Sequence, residues 1–356
     1  MIQALTQPRV HTPAAASPSL RLSDASLGRG VLLYASCALT LWVVQGAVAS
    51  GGLSTSVSTP GSVAGSALPG AWIWVVALFV VGMPHGAYDL AELARRSGSF
   101  RGTLMRFLLY TAVMLLSTMA FFAAPAFTLV AFLLLTMVHF GRSDSVHTRG
   151  AIGSGTTPTL LDRLPGYAHG AVVIAAPFLF QPVASWAPFV EMAAVLGADA
   201  SLQAQAMSVA GGALVIAGLG VIVPAAVRLW QRGAHGAAVE SVVIPAVALL
   251  ASAVLPPLLA IGVYFMCVHA MLHCLRVGDR GDGPVRAVIR AHRLSVPLLL
   301  PSIVIIVALA VPFGELGWVP ALAVSFILFC VFATLPHHLL WFGTRGRERA
   351  ATYSNA

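Results

Sequence analysis

Apolar runs of about 18 residues or more recur along nearly the whole chain, and a run of that length is what a helix needs to cross a bilayer. Ten candidate spans can be read, at roughly 31–49, 71–92, 104–123, 126–142, 166–182, 206–227, 239–256, 258–276, 295–312 and 319–342. Composition agrees, with 58% of residues hydrophobic and 9% charged, far below the charge of an ordinary soluble domain. The expected fold is all-α: a polytopic integral membrane helical bundle of about ten transmembrane helices. Residues 1–30, rich in Pro, Ser and Ala, read as a disordered N-terminal segment, 31–342 as the transmembrane domain, and 343–356 as a short tail. The lead-in is too polar for the apolar core of a signal peptide.

The cationic residues orient the bundle. All 20 are arginine, so the chain has no lysine for a Schiff base and is not itself a retinal-binding rhodopsin. Arg21 and Arg29, Arg95 to Arg106, Arg142 to Arg163, Arg228 and Arg232, Arg276 to Arg293, and Arg345 to Arg349 flank the spans in clusters. With ten spans every cluster falls on one side, which makes both termini cytoplasmic in a multi-pass protein of the cell inner (plasma) membrane. Charge arranged this way serves orientation and predicts no nucleic-acid partner. Cys37, Cys267, Cys274 and Cys330 lie in apolar segments without a CxxC pair, so no disulfide framework or zinc ribbon is expected. The hinge at Pro256-Pro257 could turn the chain fully or let it re-enter.

Histidines concentrate at one depth. His85 lies in "GMPHGAYDL", His139 in "MVHFGRSD", His269 and His273 in "VHAMLHCLR", and His337 and His338 in "LPHHLLWF". Ionisable groups inside spans are costly and face the bundle interior or a cavity. His269 and His273, four apart, share a helix face and could reach one metal ion. With His85 and His139 from two other spans, a four-histidine site can be assembled. Imidazole suits iron, copper, zinc and nickel alike, so spacing does not choose the metal. Asp89 and Asp144, four and five residues after His85 and His139, are placed to bond the ligands' outer nitrogens. Pro84 and Gly86 allow a local break at His85. The plainer expectation for the 269/273 pair is interhelical hydrogen bonding. For His169 and His338 it is capping of a carbonyl or contact with headgroups, for Asp144 a surface charge beside Arg142, and for Glu92 an interfacial position. "AWIW" reads as interface belt or core.

At "PHGAYD", "HFGRSD" and "HAMLHCLR", in that order, with weaker support from "HGAVVIAAP" and "LPHHLL", the chain resembles the Brp/Blh family of membrane β-carotene 15,15′-dioxygenases, from about residue 70 to 342. The resemblance implies that 31–342 is a catalytic domain holding Fe(2+) through His85, His139, His269 and His273. It implies a carotenoid substrate, O2 as co-substrate, and central cleavage to retinal within the lipid bilayer. A functional link to a retinal-binding rhodopsin is a further expectation. Tyr88, Phe140, Tyr264, His337 and Trp341 are candidates to line the substrate slot. The chain departs from the family pattern at Val268, Ala270 and Leu272, where an aromatic residue, a serine and an arginine are usual. Rival readings are a membrane non-haem iron desaturase or hydroxylase, which would need more HxxxH and HxxHH boxes, a bis-histidine haem protein, and a histidine-rich transporter for metal ions or protons.

Overall fold

A computed structural model describes residues 70–78, 82, 86–144, 160–278 and 283–342. The described residues form helices α1 (Trp72–Ala77), α2 (Asp89–Ser97), α3 (Phe100–Ala123), α4 (Pro125–Asp144), α5 (Leu160–Phe180), α6 (Pro182–Val195), α7 (Ala204–Gln231) and α8 (His235–Val254). There follow α9 (Pro257–Tyr264), a π-helical turn (Phe265–Ala270), α10 (Met271–Gly278), α11 (Pro284–Ala310), a 3-10 turn (Val311–Leu316) and α12 (Trp318–Phe342). No strand occurs among the described residues, and the fold is an all-α polytopic bundle, as expected.

Seven described helical segments are long and apolar enough to cross a membrane, and an eighth is a bent pair in which α5 and α6 meet at 97°. These eight correspond to eight of the ten spans read from the sequence. The span at 31–49 lies outside the described residues, as do residues 1–30 and 343–356, and 71–92 is described only in part. The bend falls between the spans read at 166–182 and 206–227. Gln181 interrupts the helix, Pro182 restarts it, and the Gln181 amide donates to the carbonyls of Ser252 and Leu255 at 2.8 and 2.7 Å. One side chain thus breaks α5 and satisfies carbonyls at the end of α8, which have no intrahelical partner. At the 256–257 hinge, Pro256 leaves the helix with ψ 138 and Pro257 opens α9.

The α9–α10 segment is the centre of the molecule. Its apolar window is 78% buried, against 11% for α3, whose Leu108, Leu109, Leu115, Leu116 and Met119 face outward. One core surrounds it, built from Tyr264, Phe140, Val173, Leu255, Ile306 and Phe326. A second core gathers at the end remote from the arginines, where α6 packs Trp186, Phe189 and Met192 against Phe121, Leu129 and Phe313. Helices α4 and α5 approach through glycine: a Cβ on Gly141 would overlap the Gly166 carbonyl, and one on Gly170 the Met137 carbonyl oxygen. Small residues at such a crossing let backbones come together where no hydrophobic drive separates helix from lipid. The two glycines follow His139 and His169 in sequence, so the same close approach brings both histidines toward α9.

Candidate metal centre

Two buried carboxylates organise the histidines. Asp144, 1% exposed at the end of α4, accepts from His269 Nδ1 at 3.0 Å and from the Tyr264 hydroxyl at 2.7 Å. His169 Nε2 stands 2.9 Å from that hydroxyl. Since Tyr264 donates to the carboxylate, it accepts from His169. Asp89, also 1% exposed, is bonded to His337 Nδ1 at 2.8 Å and to the Tyr110 hydroxyl at 3.0 Å. The two arrangements share parts: a tyrosine O–H and an imidazole N–H on a buried carboxylate. A carboxylate only accepts, so Nδ1 of His269 and of His337 carries a proton, and in the neutral ring Nε2 then holds the lone pair. That is the tautomer a metal ligand needs, with its outer nitrogen held by an anion.

The rings converge on His139. Its centroid lies 4.8 Å from His269, 5.0 Å from His337 and 4.4 Å from His338. With a metal–nitrogen bond of about 2.1 Å and about 1.1 Å from nitrogen to ring centre, two imidazoles on one ion have centroids about 4.5 Å apart at a right angle and about 5.2 Å at a tetrahedral angle. His139 fits that spacing with His269 and with His337, their planes inclined at 64° and 72°. His338 lies nearly flat on His139 at 28°, a stacking contact. Among the described residues no three donors form a closed ligand set around a single point. The donors suit an ion by their chemistry and by the pairwise spacing of their rings.

His273 is buried on α10, its ring 6.3 Å from Tyr88. His85 lies outside the described residues, and so does the side chain of Trp341. The π-helical turn carries His269, and such an inserted turn commonly marks a functional segment. Phe140 stacks on His269 at 4.1 Å and also on Tyr264 and Phe265, which fixes the imidazole face.

A cavity of about 420 Å³ opens from the histidines. His139, His269, His337 and His338 line one end. Trp74, Phe132, Phe178, Ile261 and Phe326 line its length, and Pro188 and Phe189 of α6 close toward the other end. From Leu258 to His269, both in its wall, the helix rises about 16 Å. Phe140 and His337 belong to the wall; Tyr88 and Tyr264 do not, and Tyr264 is wholly buried in hydrogen bonding to Asp144.

Several plainer expectations give way. His169 and His338 are buried in the cluster and Asp144 is buried rather than a surface charge, because each meets a partner from a distant span. Glu92 is buried, held by Arg95 and Arg96, and Arg96 also donates to the Leu340 carbonyl at 2.8 Å, tying α2 to α12 beside the Asp89–His337 bond. Trp74 of "AWIW" packs against the core, one of the two places expected for it, and also lines the cavity, with its indole N–H on the Leu258 carbonyl at 2.9 Å. Asp89 pairs with His337 and Asp144 with His269. Tyr110 carried no signal in the sequence, being one tyrosine in an apolar helix.

The family described as β-carotene 15,15′-dioxygenase matches residues 76–342. A β-carotene 15,15′-dioxygenase of an uncultured marine bacterium 66A03 is 31% identical over 108 residues, 29% of this chain. That match spans only 35% of the relative's length. No solved structure matches. With the motifs that hold the histidines falling inside the matched range, the chain belongs to the β-carotene 15,15′-dioxygenase family.

Proposed function

We propose that this protein is an iron-dependent oxygenase of the membrane that cleaves the central 15,15′ double bond of β-carotene, or of a related carotenoid, to retinal. The observation that carries the reading is the junction of a buried, carboxylate-anchored histidine cluster with a long apolar cavity. His139 and His269, with His273 and His85, are the residues proposed to hold Fe(2+). Bound iron would supply the activation of O2. The reaction balances with O2 alone: the C=C bond breaks and each half leaves with one oxygen as an aldehyde.

The chain's own residues do the rest. Asp144 holds His269 in the Nε2-lone-pair tautomer, and Tyr264 and His169 hold Asp144. Phe140 fixes the ring of His269 from one face. The apolar wall receives a hydrocarbon without desolvating polar groups and keeps water from the reacting bond. Its length supports a central cut. From the central double bond to the ring of β-carotene is about nine bonds, or about 11 Å at about 1.2 Å per bond, and the ring adds several more. One half of the substrate therefore matches the run from the histidines to α6, which orients the scissile bond at the cluster. The arginine pattern supports a plasma-membrane protein with cytoplasmic termini, and a retinal-binding rhodopsin is the kind of partner that would consume the product.

Expression in bacteria that accumulate β-carotene tests the reading, with pigments resolved by chromatography. Wild type should deplete carotene and yield retinal; His269→Ala, present in the membrane at equal level, should not. Unchanged carotene with well-expressed wild type would remove β-carotene as substrate.

A further inference from the structure

We infer that His337, anchored by Asp89, is a further ligand of the same metal centre, beyond the four histidines of the proposed site; the inference rests on the metal reading above. Three observations carry it. First, His337 is bound through Nδ1 to a buried carboxylate that also takes a tyrosine hydroxyl, the same construction that fixes His269. Second, its ring stands 5.0 Å from His139 at 72°, and His269 stands 4.8 Å from the same ring at 64°, both within the spacing of imidazoles that share an ion. Third, His337, His139 and His269 all line the same end of the cavity.

A hydrocarbon-facing role does not require this construction. A carotenoid offers no acceptor or donor, so a histidine serving only as cavity wall would gain nothing from a buried aspartate fixing its tautomer, whereas the aspartate itself is costly to bury. His338 next to it lacks the geometry: it lies flat against His139 and packs rather than converges. Arg96 secures the anchor by bonding Glu92 and the Leu340 carbonyl, which holds α2 and α12 at the distance that lets Asp89 reach His337.

The test uses the full-length chain in detergent, stripped of metal and titrated with Co(II), whose visible absorption reports its ligands. Wild type should bind the ion with a defined spectrum. His337→Ala should alter that spectrum and weaken Co(II) binding by about 100-fold, and Asp89→Asn by about 10-fold, the range for losing a ligand's hydrogen-bond partner. His337→Gln replaces the alanine variant if the latter is not recovered folded. A spectrum and affinity unchanged in the His337 variant, with or without a loss of thermal stability, would overturn the inference and leave the four-histidine reading standing. Failure of wild type itself to bind Co(II) would overturn both.

Discussion

Asp89 and His337, 248 residues apart, meet at 2.8 Å in the interior of the bundle. The contact joins a short helix that begins at Asp89 to α12, and it is matched across the cluster by Asp144 and His269, 125 residues apart. Each carboxylate is a hub that bonds an imidazole and a tyrosine hydroxyl. The predictions below treat these hubs, the glycine crossing and the cavity as separable parts.

Asp144→Asn should lower metal affinity about 10- to 100-fold, because the amide no longer stabilises the charge pushed onto His269 by a bound cation. Tyr264→Phe should cost less, about 10-fold or under, since it loosens the carboxylate without removing it. Metal content after dialysis against graded chelator, measured per chain, orders the two. Equal retention by wild type and Asp144→Asn would show that the carboxylate plays no part in holding metal.

Metal removal should abolish cleavage and leave the fold standing. The cores around α9 and under α6 are built from apolar contacts that need no ion. Chelation followed by Fe(2+) addition should restore retinal formation, and helical content by circular dichroism should stay constant throughout. Full activity in metal-free protein would contradict the iron reading.

Gly170→Ala should destabilise the protein by about 3 kcal/mol, the upper end for overpacking, because the added Cβ meets the Met137 carbonyl oxygen, which is backbone and gives little. Thermal unfolding in detergent measures this. Gly220→Ala, where a Cβ meets nothing, is the comparison and should be nearly neutral.

Ile261→Trp should fill the cavity between the histidines and α6. Cleavage of β-carotene should fall at least about 10-fold, since a blocked polyene cannot bring its central bond to the site, while metal content stays at the wild-type level. A parallel loss of metal would mean that the substitution had disturbed the cluster and not just the cavity.

The sequence by itself determined the solvent this chain folds in, the helices, and the common end at which its ionisable groups gather. The apolar runs dictate spanning helices because length and hydrophobicity are local properties, and eight of the runs appear as helical spans, α11 beginning at Pro284, well before the run read at 295–312. The histidine motifs were legible because polar residues inside such runs are few. What the sequence left open was partnership. Asp144 lies five residues from His139 yet bonds His269, and Asp89 bonds Tyr110 and His337 from opposite ends of the chain. His169 and His338 read as helix-end residues until the packing of α5 and α12 against the centre buried them. The bend at Gln181 gave no periodic signal, since α6 is as apolar as the spans beside it and only its packing under the bundle shows its direction. Pairing across helices depends on which faces meet, and that is fixed by close crossings such as Gly141 with Gly166. Residues far apart in the chain become neighbours only when the bundle is assembled, so tertiary structure alone decided which carboxylate holds which imidazole.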